Sequence, residues 1–320
     1  MSIESDLLDA RPGDVVTFSG RQKVGKVIGI RGQQGNPITL RGADDTAVII
    51  PSPDYLYALL RFEQSAHLRL EHFRLDGEGR AQRAIQIFTS EFVDLDWLES
   101  ENCQEDHFHF AGSDDCSVKH CRFDGTGGVN MGGGKAGHAI YVTKIDGGGD
   151  VARHLWEDCE CTDIAGSAWQ ANGDGRTVHE LVARRMAATD WGKYGGALFN
   201  LATVDGATLE DVYGETRHDS GGVRAYEGSR AITLNRFFIT NPDGEETDGP
   251  VTVISRAPPA APNFDEDVTP EPPEPGPEPE PEEGRQYCPT CQGDGTQLGP
   301  DGESMPCATC EGLGTVPLPT

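Results

Sequence analysis

The sequence predicts an all-β chain wound as a right-handed parallel β-helix, followed by a Pro/Glu-rich linker and a small cysteine module. Three observations predict this. An apolar pattern returns along the chain at intervals of about one coil. A short alternating segment precedes each copy. Two C-x-x-C-x-G-x-G knuckles stand near the end.

The repeat shows first in LRLEHFRL, 68–75, where Leu68, Leu70, Phe73 and Leu75 occupy offsets 0, 2, 5 and 7. VDLDWLES repeats it with Val93, Leu95 and Leu98, and CSVKHCRF with Cys116, Val118, Cys121 and Phe123. HLWEDCEC follows with Trp156, Cys159 and Cys161, ATLEDVYG with Ala207, Leu209 and Val212, and ITLNRFFI with Ile232, Leu234, Phe237 and Ile239. HELVARRM, 179–186, is a poorer copy. The starts lie 25, 23, 38, 25, 28 and 25 residues apart. Such a period marks a solenoid. Offsets 0 and 2 alternate as a strand does, because successive side chains point to opposite faces. The step from 2 to 5 breaks the alternation, as a sharp bend does when a second short strand must also face inward.

The third strand of each coil is ALLRF, RAIQIF, HFHF, HAIYV, SAWQA, GALFNL or VRAYE, and clusters such as DGEG, GSDD and DGGG supply the turns. Leucine-rich repeats would need a leucine and asparagine ladder that is absent, and propeller blades would need four strands. Helical repeats would need a 3.6-residue period that these copies lack. Cys103, Cys116, Cys121, Cys159 and Cys161 fall in this region, four of them at inward offsets, and read as small buried apolar side chains.

The opening segments DARPGDVVTFSG, GKVIGIRG, GNPITLRG and TAVIIPS, with Pro12, Gly13, Asp14 and Asn36 to Leu40, resemble the start of the pectate-lyase-like superfamily. They look most like the branch holding chondroitinase B and alginate lyases. LRLEHFRLDG and GHAIYV are similar to that superfamily as well. The resemblance covers residues 9–256 and implies a β-helix acting on glycans, with calcium a possible cofactor if the chain is a lyase.

The chain carries a net charge of −27, and residues 1–256 hold 40 acidic against 25 basic residues. Such a surface repels phosphate backbones and excludes general nucleic-acid binding. No apolar run is long enough for membrane insertion. MSIESDLLDA has neither a basic start nor an apolar core, so no signal peptide is expected. The expectation is cytoplasmic synthesis, with association to a virion one destination.

Residues 257–284 hold nine acids and no bases among many prolines, and read as an extended, semi-rigid spacer. CPTCQGDG and CATCEGLG follow, with 15 residues between Cys291 and Cys307. Cys288, Cys291, Cys307 and Cys310 can close a tetrahedral site for one structural zinc, and two disulfides are the alternative. This segment, 285–320, resembles half of the cysteine-rich domain of DnaJ-type co-chaperones. That domain has four knuckles for two zincs, so the resemblance implies one zinc here. The His-Pro-Asp tripeptide of a J-domain is absent. The module either docks a protein partner or caps the chain.

With Phe108 and Phe110 facing inward, His107 and His109 point out, as do Tyr141, Gln170, Arg224 and Tyr226. These residues, with His138, are the candidate glycan-binding set. His107, His109 and His138 together are an alternative metal cluster. The glycine-rich stretch 124–138 reads as a loop over that face. A lyase needs a base and a neutralising cation, for which Lys144 with Asp146, and Arg224, are the candidates. The E-x-I-S-x-K-S and L-R-H-G segments of the resembling lyases are absent. A glycosidase needs two carboxylates, for which Asp114 and Asp115 are candidates, although adjacent aspartates also form turns. Two functions follow. One is a glycan-recognising protein of the phage tail fibre or spike kind, for which a homotrimer is expected. The other is a polysaccharide lyase or hydrolase acting on an acidic glycan.

Overall fold

The computed structural model describes residues 2–126, 137–145, 148–173, 175–240 and 247–255. Nearer the C-terminus it describes the strands Arg285–Tyr287, Thr296–Leu298, Ser304–Pro306 and Thr315–Pro317. Two compact units divide the chain, Met1–Pro262 and Asn263–Thr320.

The first unit is a parallel β-solenoid. Each coil contributes a long bent segment to a 14-stranded sheet and a short segment to a nine-stranded one. In the first sheet Ala66–Asp76 pairs in parallel with Glu91–Cys103, setting Leu68 beside Val93, Leu70 beside Leu95 and Phe73 beside Leu98. Equal offsets therefore stack, and the apolar residues of successive copies form continuous inward columns. Leu68, Leu70, Phe73, Leu75, Val93, Leu95 and Leu98 are all buried. The second sheet runs through Ala58–Glu63, Arg83–Phe88, Phe108–Ala111, Ile140–Thr143, Trp169–Asn172, Ala197–Ala202 and Gly221–Tyr226, the seven third strands expected from sequence.

One register differs. Leu181 pairs with both His154 and Ala207, so that copy begins at residue 181 and not at 179. Its inward residues are Leu181, Ala183, Met186 and Ala188, all buried. The copy looked poor because small alanines fill two of the four inward positions. Strand Arg122–Thr126 also runs into the stretch expected to be loop, while 127–136 lie outside the described residues.

The break between offsets 2 and 5 has one cause. Offset 4 is left-handed in every coil of the repeat: His72, Trp97, His120, Asp158, Arg185, Asp211 and Arg236 have φ between +50° and +57°. A left-handed residue turns the chain through a corner and returns the next side chain to the interior. None of the seven is glycine, although this region costs an L-residue roughly 1–2 kcal/mol. Side-chain columns across coils offset that cost. His72 stacks on Trp97 at 6.3 Å and Trp97 on His120 at 4.5 Å. Arg185 Nε donates to Asp158 at 2.6 Å, and Arg236 pairs with Asp211. A second left-handed column stands at offset −1, with His67 stacked on Phe92 at 4.7 Å and Arg153 bonded to Asp115.

Short helix Ile3–Asp9 packs on the first coil through Ile3 and Leu7. The Ser2 hydroxyl caps it, accepting from the Ser5 N–H at 3.2 Å. No helix among the described residues is long and apolar enough to cross a membrane.

In the second unit Arg285–Tyr287 pairs antiparallel with Thr315–Pro317, and Thr296–Leu298 with Ser304–Pro306. Cys288, Cys291, Cys307 and Cys310, and the linker 257–284, lie outside the described residues.

Candidate functional site

The outer face of the nine-stranded sheet carries one polar residue per coil in register. Lys26 is followed by Arg61, Gln86, His109, Tyr141, Gln170, Asn200 and Arg224. Two residues further along each strand runs a second column that includes Glu63, Phe88, Thr143, Asn172 and Tyr226. The strands place these side chains outward because their neighbours, Phe108, Phe110, Ile140, Val142, Trp169 and Phe199 among them, fill the interior. The structure thus brings His109, Tyr141, Gln170, Arg224 and Tyr226 to one face, as expected.

His107 is different. It is fully buried, its Nδ1 lies 2.7 Å from the Ser100 hydroxyl, and its ring packs against Phe123 at 5.5 Å. Strand Phe108–Ala111 starts one residue later, so at 107 the chain is still in the corner and strand alternation does not apply. His107 belongs to the core and not to the glycan-facing set. His109 does point outward but is 7% exposed, roofed by its neighbours rather than open to solvent. Burial pushes both rings down to about 3, so both are neutral near pH 7.

Around His109 lies a buried polar cluster that the sequence reading missed. Arg83 pairs with Glu105 at 2.5 Å and with Asp106 at 3.2 Å, and stands over the Tyr57 ring at 4.8 Å. Burial works against the Arg83 charge, but Asp106 and Glu105 more than offset it and raise its pKa. Asp106 also faces His138 Nδ1 at 3.1 Å, and His138 Nε2 faces the Gln170 side-chain amide at 2.5 Å. Burial lowers the His138 pKa against the pull of Asp106. Tyr141 stacks on His109 at 4.9 Å and on His138 at 5.2 Å, and burial raises its phenol. Asn200 Nδ2 donates to Gln170 Oε1 at 3.2 Å.

Several polar atoms here are enclosed and without a partner: both His109 nitrogens, Arg83 Nη1, Gln86 Oε1, Asn200 Oδ1 and Arg61 Nε. Buried polar groups are normally hydrogen-bonded, and six of the fifteen such unpartnered atoms among the described residues lie in this patch, which makes it a candidate site. A signal for it was legible in the ED pair before HFHF and in Gln86 of RAIQIF, at an outward position of its strand, whereas Arg83 at the strand's first residue shares the parity of the inward Ile85 and Ile87.

The remaining candidates are placed elsewhere. Asp115 is left-handed and accepts two bonds from Arg153, at 2.5 and 2.7 Å, while Asp114 accepts the Ala152 N–H at 2.7 Å. Both join coils at a corner next to the first sheet and are engaged in holding it, not paired across a glycan-facing surface. Lys144 follows the strand Ile140–Thr143, and Arg224 stands three strands further along the axis. Three strand spacings of about 4.8 Å and a three-residue offset along the strand put their backbones roughly 17 Å apart, which sets them at different positions along the face rather than around one sugar unit. Arg224 is exposed. Asp146 lies outside the described residues. No group of three or more His, Cys, Asp and Glu side chains is arranged for a metal among the described residues, so His107, His109 and His138 do not form one.

The fold is shared with solved structures. An alginate lyase from Paenibacillus sp. str. FPU-7 is 18% identical at a TM-score of 0.52, over 78% of this chain and 96% of that one. The ORF18 protein of Geobacillus virus E2 is 13% identical at a TM-score of 0.55, over 79% of this chain and 58% of that one. At these identities the likeness establishes the fold alone, a parallel β-helix. No family model matches the sequence. No curated protein matches it either.

Proposed function

We propose that the β-helix is a glycan-recognising protein that holds a polysaccharide along the outer face of its nine-stranded sheet. The observation carrying this reading is the column of half-buried and exposed polar side chains, Tyr141, Gln170, Asn200 and Arg224, that stands in register beside the buried cluster around His109. Hydroxyl-rich ligands offer both donors and acceptors to such a row of phenol, amides and guanidinium. A column repeating once per coil suits a ligand that repeats along its own length. The fold likeness to an alginate lyase and to a virus protein supports a glycan-facing, particle-associated setting, for which we propose a spike-like assembly of three copies.

The second reading is a depolymerase of an acidic glycan. The contact of Asp106 with His138 favours it, because a carboxylate that orients an imidazole is a common general-base arrangement, with Gln170 on Nε2 the group a substrate would have to displace. We keep Lys144 with Asp146 as its candidate base, with Arg224, three strands away, meeting a different sugar unit and calcium as the possible metal. For the C-terminal module we propose one structural zinc on Cys288, Cys291, Cys307 and Cys310, and a protein partner.

The test is binding and product release over a panel of acidic and neutral bacterial polysaccharides, with calcium present and zinc-loaded protein. Retained binding without product, lost in Gln170→Ala and Arg224→Ala, supports recognition. Release of unsaturated ends supports the lyase. Binding that survives both substitutions would move the ligand off this face.

A further inference from the structure

The face that carries the polar column is open over only part of its length, which limits how a glycan can lie there, provided that the glycan reading above holds. Followed coil by coil, the column changes exposure. Gln86 is 2% exposed and His109 7%, although both point outward. Tyr141, Gln170 and Asn200, on the next three coils, are half-buried, and Arg224 beyond them is exposed. Three coil spacings of about 4.8 Å make this open stretch roughly 14 Å long. On the other side of Gln86 the column passes half-buried Arg61 and is exposed again at Lys26.

The cover over Gln86 is a fixed ridge. Tyr57, in the segment leading into strand Ala58–Glu63, accepts a bond on its hydroxyl from Gln86 Nε2 at 3.2 Å. The Arg83 guanidinium stands 4.8 Å from the Tyr57 ring, and that of Arg61 lies 5.3 Å from Tyr57 and 4.9 Å from Phe88. Both guanidiniums are also held by carboxylates, Arg61 by Glu63 and Arg83 by Glu105 and Asp106. Tyr55 packs on Tyr57 at 6.4 Å, and the Gln82 N–H donates to the Leu56 carbonyl at 2.8 Å, pinning the segment to the following coil. Moving Tyr57 aside would cost two cation–π contacts and uncover Gln86. A polymer following the column from Arg224 toward Tyr141 therefore runs into closed surface at His109 and Gln86, whose unpartnered atoms are enclosed and out of its reach. We infer that this site takes the end of a glycan chain, its terminal unit against Tyr141 and the rest leaving past Arg224, and does not take an interior stretch.

The experiment is calorimetric titration of the full-length, zinc-loaded protein with alginate and polygalacturonate fractions spanning roughly a fourfold range of chain length. The expected result is the same number of chains bound per protomer at every length. A site for interior stretches lets one chain hold several protomers, so that number would fall about fourfold across the series. Such a fall overturns the inference and leaves glycan recognition standing. Tyr57→Ala removes the ridge and should make the number fall with length, whereas Tyr57→Phe keeps the ring and should not. A constant number in Tyr57→Ala protein whose tryptophan fluorescence is unchanged overturns the inference too, because the ridge is then not what stops the chain. If Tyr57→Ala does not fold, the unsubstituted protein decides by its own length series. No binding of either polymer at any length counts against the glycan reading itself, and the inference falls with it.

Discussion

Lowering the pH from 7 to 5 should destabilise the β-helix by several kcal/mol, and three buried histidines set the size of the effect. His107 and His109 are held at about 3 and His154 at about 4, in each case by burial. An unfolded histidine titrates near 6.5. Each ring is thus neutral in the fold while its unfolded counterpart takes up a proton as pH falls below that value. A folded pKa below the unfolded one means the unfolded state binds more protons, so stability rises with pH and is lost on acidification. Per ring the slope approaches about 1.4 kcal/mol per pH unit, and the loss at pH 5 relative to pH 7 is roughly 2 kcal/mol. Three rings together give about 5–6 kcal/mol, comparable to the whole stability of many domains. Burial also lowers His72 and His138, which add to the same slope. Carboxylates held down by cations, such as Asp115 by Arg153, contribute only as pH falls through the ordinary carboxylate range and below it. The window between pH 6.5 and 4.5 therefore belongs to the histidines. Urea unfolding at pH 7, 6 and 5, followed by fluorescence of the buried Trp156, Trp169 and Trp191, reads it directly. His154→Leu should remove about a third of the slope, beside its own loss of the bond to the Ser113 carbonyl. A slope smaller than that of a single histidine would refute the reasoning, since the rings would then not be held neutral by the fold.

Other perturbations have equally definite outcomes. Leu95→Ala, fully buried in the inward column, should cost about 2–5 kcal/mol in denaturant unfolding. Ala231→Gly, at an exposed left-handed position with φ +55°, should stabilise by about 0.5–1 kcal/mol, seen as a raised thermal midpoint. Gly42→Ala should destabilise, because a Cβ there would meet the His72 carbonyl oxygen at 2.0 Å, a backbone atom that cannot yield cheaply. Elemental analysis should find one zinc per chain, lost in a Cys291→Ser, Cys307→Ser double variant or on chelation, with the fluorescence of the β-helix unchanged.

Much of the fold is legible in the sequence, because a coil of a β-helix is a local object. The offsets 0, 2, 5 and 7 encode two strands and the corner between them within eight residues. Leu68, Val93 and Cys116 stack because each is the same point of its own coil. The register at 181 was misjudged for a matching reason. Leu181, Ala183, Met186 and Ala188 carry little apolar bulk, so the pattern is faint even though its geometry is normal. His107 was misplaced because alternation holds only inside a strand, and the strand begins at Phe108.

By itself the sequence determined the architecture: the coil length, the inward columns, the third strands and the outward positions of His109, Tyr141, Gln170, Arg224 and Tyr226. These follow from periodicity, which depends on nearest neighbours along the chain and on equal spacing between coils. The tertiary structure alone decided which outward residues form a site. Arg83 meets Glu105 and Asp106 from the next coil, and His138 reaches Asp106 across 32 residues. It also decided that seven non-glycine residues stand left-handed at one corner, where stacking and ion pairing between coils can bear the strain. Both depend on which side chains become neighbours across coils and how far water is excluded there, and no pattern within a single coil carries that information.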